Sequence, residues 1–356
     1  MGGEYMRKDQ DHYAGCLLGG ALGDTLGAPV EFINHQQILH RYGLSGIQRP
    51  QEGEAGLFEI TDDTQMTLFT AEGLLRARAA QASSPEVNIA AVVHHAYLRW
   101  LHTQGEDNPH FSDYGYHSDD GFLIQQFELF KQRSPGLTCT SALMRSEIGT
   151  LQKALNDSKG CGAVMRAAPV GMIDLGVDPF ALSCQIAALT HGHIDGILSA
   201  GVLAQIIHDL MAGLELEEAI RHSLDVLRRH DRHERLSARI EQAVKLARSE
   251  QPAVTCYKQL GQGWVGDEAL AIAIYCALKS PHDFKQGVIM AVNHDGDSDS
   301  TGAICGNILG ACLGRTALPQ DWLAQLELCQ VIAAIGQDLL TAYRDDEDWR
   351  VKYPGW

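Results

Sequence analysis

Residues 293–314 read NHDGDSDSTGAICGNILGACLG. The first half crowds three carboxylates (Asp295, Asp297, Asp299) and three hydroxyls (Ser298, Ser300, Thr301) into one short stretch. Like charges this close are costly unless a cation holds them. A hard divalent metal takes its ligands from such oxygens. The second half, Ala303 to Leu313, is an unbroken small and apolar run of helical character. Glycine recurs through it at every fourth position, at 302, 306, 310 and 314.

Glycine costs a helix about 1 kcal/mol against alanine, so four in register imply a packing reason. The same device stands near the start of the chain. Residues 14–28 read AGCLLGGALGDTLGA, with Gly15, Gly19, Gly23 and Gly27 on one helical stripe. Two such helices can pack closely on each other or on other helices. Pro29 ends the first of them, and Glu31 falls just beyond. No run alternates β-branched with polar residues, and no Asn-Gly or Asp-Gly joins two such runs. The fold class is therefore all-α, a single compact multi-helix domain of a dozen or so helices. The boundaries drawn are an N-terminal extension over 1–12 and the domain over 13–356.

The Asp295-x-Asp297-x-Asp299 spacing invites an EF-hand reading, which fails. That loop needs Gly at its sixth position and Glu at its twelfth, and the chain has Ser300 and Gly306. What remains is half of a site at a loop-to-helix junction. Its counterpart is Thr61-Asp62-Asp63, where Thr61 is a good N-cap and the two acids sit in a favoured first turn. Capping alone explains that triplet in isolation. Two acidic helix starts can also converge to hold two metal ions.

Elsewhere the pattern predicts helices over 61–80, 87–101, 121–132, 140–155, 179–189, 193–211, 269–279 and 321–343, with two amphipathic helices between 216 and 249. The adjacent His94 and His95 point to different sides and read as structural. Residues 103–120 form a long polar stretch carrying Phe111, Tyr114, Tyr116 and His117, a binding loop or plain surface. Ser158-Lys159-Gly160-Cys161-Gly162 opens a helix-like run and could present backbone N–H groups to a phosphate. It is neither a Walker loop nor GxGxxG.

A net charge of −17, with no basic block, argues against a nucleic-acid surface. The cluster Arg228, Arg229, Arg232 and Arg235 is interleaved with acids. An anionic substrate would need bound cations. The nine cysteines include no CxxC pair, which fits a reducing cytoplasm rather than a disulfide framework. No secretory h-region is visible, and no segment reaches the roughly 20 apolar residues of a membrane span.

Taken together, seven stretches in order resemble the ADP-ribosylglycohydrolases. They are GCLLGGALGDTLGAPVEF (15–32), TDDTQMTL (61–68), RSPGLT (133–138), SKGCGAVMRAAPVG (158–171), LTHGH (189–193), GWVGDEALAIAIYCAL (263–278) and GDSDSTGAICGNILGA (296–311). The resemblance implies an all-α fold with a dinuclear site for two Mg2+, or Mn2+. Its ligands would be Thr61, Asp62 and Asp63 with Asp297, Asp299 and Ser300. Asp295 departs from the family pattern and is not counted. Glu31 would act in catalysis or gating, and Glu31 or Asp62 would be the general base. Ser158, Gly160, Gly162 and His191 would line the pocket of the ADP-ribose phosphates. The implied reaction is metal-dependent removal of ADP-ribose from a modified protein side chain, arginine first. The alternative is an immunity protein that occludes an ADP-ribosyltransferase toxin, with or without hydrolysis.

Overall fold

The computed structural model describes residues 9–53, 55–84, 86–110 and 119–355. In chain order the α-helices are α1 Gln10–Gly27, α2 His35–Tyr42, α3 Asp62–Gln81, α4 Ile89–Thr103, α5 Leu137–Leu143, α6 Pro179–Ala188, α7 Ile194–Met211 and α8 Leu216–Leu227. They continue with α9 Glu234–Ala247, α10 Ala253–Leu260, α11 Gly266–Lys279, α12 Phe284–Val292, α13 Ser298–Leu313, α14 Gln320–Leu323, α15 Cys329–Thr341 and α16 Glu347–Lys352. Among the described residues there is no strand, only isolated bridges.

The two glycine stripes meet each other. Helices α1 and α13 run antiparallel, with Gly15 against Gly310, Gly19 against Gly306, Gly23 against Gly302 and Gly27 against the backbone of Ser298. A Cβ at any of these glycines would come within 3 Å of the opposing carbonyl. Asn307 fixes the register from the side, donating through Nδ2 to the Cys16 carbonyl at 2.8 Å. Around this pair pack α15, α12, α11, α3 and α7. Helices α7 and α11 are buried on nearly every side, as their continuous apolar runs require. Helix α7 has the length and apolarity of a membrane span, yet 89% of it is covered by the protein itself.

Side-chain caps set many helix starts. Asp9, Thr61, Asn88, Asp178, Asp283 and Asp346 each accept from a first-turn backbone N–H. Helix α2, which the sequence pattern did not anticipate, begins with a capping box between Asn34 and Gln37. The expected N-terminal extension falls mostly outside the described residues, and Gln10, Asp11 and His12 are the first turn of α1.

Three expected helices are corrected. Residues 121–132 hold only two 3-10 turns, and the Leu123 N–H donates to the Glu72 carboxylate at 3.0 Å. The helix expected over 140–155 is instead α5, which ends at Leu143. The carbonyls of Leu143 and Arg145 accept from Asn108 Nδ2 instead of from amides of a next turn. The tail expected as one helix over 321–343 is split. Phe58 bridges the chain there, donating to the Gln325 carbonyl and accepting from Glu327 N–H, and Leu328 turns at φ 57°. His94 and His95 are buried in α4, as expected of structural residues. Phe111, Tyr114, Tyr116 and His117 lie outside the described residues.

Candidate metal centre

The antiparallel register decides where the acids go. It lays the C-terminal end of α1 against the N-terminal end of α13, so Glu31, just past α1, reaches Asp297 and Asp299. One carboxylate oxygen from each of the three lies within 4.8 Å of the others. Asp297 is the N-cap of α13, accepting from Ser300 N at 3.3 Å, while its own N–H donates to Gln262 at 2.8 Å. Asp299 accepts from the same Ser300 N–H at 3.0 Å.

The second acidic helix start closes on the first. Thr61 caps α3. Asp62 Oδ2 accepts from Gly136 N at 3.1 Å, which ties the 133–138 stretch to the site. Asp63 is buried, and its Oδ1 has no hydrogen-bond partner. A buried carboxylate oxygen without a donor is costly, and this one belongs to a cluster of four other acids.

Asp24, which carries no role in the sequence pattern, organises this half. It is fully buried within α1 and accepts from Thr61 N at 3.0 Å, Thr61 Oγ1 at 2.8 Å, Thr64 N at 3.3 Å and Thr64 Oγ1. The signal was a carboxylate inside the glycine-striped helix, where an acid needs partners. Asp295 lies elsewhere. It accepts from the His35 N–H at 2.6 Å, at the start of α2.

Burial drives the electrostatics of the cluster. It is the largest cause holding the carboxyls of Asp62, Asp63 and Asp299 well above their ordinary range, with neighbouring carboxylates adding to it. Glu31 is pushed to about 8 by burial and then by Asp297, against a hydrogen bond with Asp299. Asp24 rises to about 6 by burial, restrained by its bonds from Thr61 and Thr64. A set of buried oxygen donors that repel one another when ionised, one of them orphaned, fits hard divalent cations.

Beside the acids runs the 158–162 loop. Ser158 Oγ lies 3.1 Å from Thr138 Oγ1 and accepts from Gly160 N at 3.3 Å. His191 is buried under the loop, its ring against Gly160 and Gly162. Burial, with help from Arg166, lowers its pKa to about 3, so it is a neutral hydrogen-bonding group. Cys161 joins loop to acids, donating through Sγ to Asp297 Oδ2 at 2.8 Å. The structure thus brings Glu31, Asp62, Asp63, Asp297, Asp299 and Ser300 together with Ser158, Gly160, Gly162 and His191 at one edge. A surface concavity between α8 and α9 contains none of them. Flanking Glu31, Phe32 is exposed and stacks on Trp264 with centroids 6.0 Å apart.

This all-α architecture gathers acids from two helix starts beside a glycine loop. The chain belongs to the ADP-ribosylglycohydrolase family, whose model matches residues 6–348. It is 26% identical over 329 residues to the ADP-ribosyl-[dinitrogen reductase] glycohydrolase of Rhodospirillum rubrum, covering 89% of this chain and 91% of that protein. It is 24% identical to the ADP-ribosylhydrolase ARH3 of Mus musculus, covering 94% and 92%. It is 23% identical to the ADP-ribosylarginine hydrolase Tri1 of Pseudomonas putida, covering 92% and 78%. A solved structure described as an ADP-ribosylglycohydrolase-related protein complex shares the fold, with TM-score 0.63, 24% identity, and coverage of 94% of this chain and 99% of that one.

Proposed function

We propose that the protein is a metal-dependent hydrolase that removes ADP-ribose from modified protein side chains, with ADP-ribosyl-arginine as substrate. The observation that carries this is the union of the acid cluster with the 158–162 loop through the Cys161–Asp297 hydrogen bond. Family membership supports the reaction class. The names of the Rhodospirillum and Pseudomonas relatives, which specify dinitrogen reductase and ADP-ribosylarginine, support a protein substrate and the arginine linkage.

Thr61, Asp62, Asp63, Asp297, Asp299 and Ser300 would hold two Mg2+ or Mn2+ ions. Such ions, when bound, fix vicinal ribose hydroxyls and make a water more acidic. The residues of the chain do the rest. Glu31 stands at the half-open rim of the cluster and is the better candidate for proton acceptor. Asp62 is more enclosed and is already tied to Gly136. Glu31 takes the proton of a water whose oxygen bonds to C1″ as the C1″–N bond breaks through an oxocarbenium-like state. The departing guanidine nitrogen takes up a proton. Gly160 and Gly162, lacking Cβ atoms, let the diphosphate approach the loop backbone, and neutral His191 supports it from beneath. Bound cations also reconcile a dianionic substrate with a chain of charge −17.

The test is release of free ADP-ribose from ADP-ribosyl-arginine protein in the presence of Mg2+, abolished by EDTA, with serine-linked substrate in parallel. Release from neither linkage overturns the reading, and release from serine alone moves the acceptor.

A further inference from the structure

The acid cluster is not purely an oxygen site. Two sulfur atoms face its α13 side. Cys161 Sγ lies 2.8 Å from Asp297 Oδ2, and Met165 Sδ lies 3.9 Å from Ser300 Oγ. They are four residues apart, and the Met165 N–H donates to the Cys161 carbonyl at 3.1 Å, so one helical turn stacks both on the same face. In the same cluster, the buried Asp63 Oδ1 is without a partner.

Oxygen-only sites suit Mg2+, whereas a thiol among carboxylates favours borderline and soft cations. A buried thiol in contact with a ligand carboxylate is placed for direct capture of a metal.

We propose that Cys161 is a sulfur ligand of the centre, with Met165 as its thioether neighbour, so that the site takes thiophilic divalent cations such as Co2+, Zn2+ and Cd2+ more tightly than Mg2+. As the sulfur–metal bond forms, the S–H proton leaves to solvent, and no electron changes hands. The inference rests on the metal-centre reading above and adds a ligand to it.

The probe is Co2+ added to the metal-free full-length chain, followed by absorption spectroscopy. The expected result is visible d–d bands together with a near-ultraviolet sulfur-to-cobalt charge-transfer band. Cys161→Ser should lose the charge-transfer band and keep the d–d bands, and Cys139→Ser, a neighbouring thiol bonded to Arg166, should keep both. Cd2+ affinity, measured by calorimetry, should fall about tenfold or more in Cys161→Ser while Mg2+ affinity holds. Far-ultraviolet circular dichroism checks that each variant is folded. Cobalt d–d bands without a charge-transfer band in the unaltered protein, or a charge-transfer band that survives Cys161→Ser, overturn the sulfur ligand and leave the metal centre standing. Failure to bind Co2+ at all overturns both.

Discussion

Gly23 and Gly302 touch backbone to backbone, each occupying the space a Cβ on the other would need. They lie on helices from opposite ends of the chain, and the contact sets the register that delivers Glu31 to Asp299. Alanine at either position has only backbone to push against. Each single substitution should therefore cost about 1–3 kcal/mol or more, read by urea unfolding. Affinity for Mg2+ should fall with it, because α1 and α13 must separate or slide. An alanine variant with unaltered stability would show that the helices are not in close register.

Asp24 is the buried acceptor for Thr61 and Thr64. Asp24→Asn places an amide among those donors. The expected loss is about 1.5–3 kcal/mol of stability, the range for a hydrogen bond to a charged group. Calorimetry should also show weakened metal binding, although Asp24 belongs to no ligand group. Normal binding in this variant would mean that the Thr61 start holds its shape unaided.

The metal-free protein should become less stable from pH 6.5 to pH 8. Glu31 keeps its proton to about 8 in the folded chain, against 4.5 ordinarily, and Asp62, Asp63 and Asp299 are also raised. Over that window the folded state binds more protons than the unfolded one, so stability falls as pH rises. The buried histidines 94, 95, 191 and 294 have lowered pKa values and act in the opposite sense, an effect that fades as pH rises past their ordinary 6.5. Thermal unfolding in EDTA across this range checks the slope, and Glu31→Gln should flatten it. Saturating Mg2+ should also reduce it, since ions favour the ionised carboxylates.

Removing the metal should lower the unfolding temperature, and restoring Mg2+ should raise it again. At a hundred times the dissociation constant the gain is about 2.7 kcal/mol. Asp299→Asn should abolish that shift and release of ADP-ribose together. A variant that still gains stability from Mg2+ would remove Asp299 from the ligand set.

The parts of the fold read correctly from sequence are those where local pattern and tertiary contact agree. The two glycine stripes, the Thr61 cap and the apolar run of α11 are of this kind. Errors gather where a distant side chain captures backbone groups that a helix would use. Asn108 does so at Leu143, and the Phe58 backbone at Gln325 and Glu327. The site was legible as two acidic helix starts. The role of Asp24 was not, because its partners stand well apart from it along the chain. Nor was the thiol contact of Cys161, because a cysteine in a glycine turn carries no sign of which carboxylate it will meet.

The α1–α13 contact makes the centre a seam between early and late segments of the chain. A protein cut short before Asp297 would keep Thr61, Asp62 and Asp63 yet lack the second acidic helix start, so cation binding reports completed synthesis as well as folding. A circular permutant opened in the exposed turn between α8 and α9, with the original ends joined, should still knit the seam.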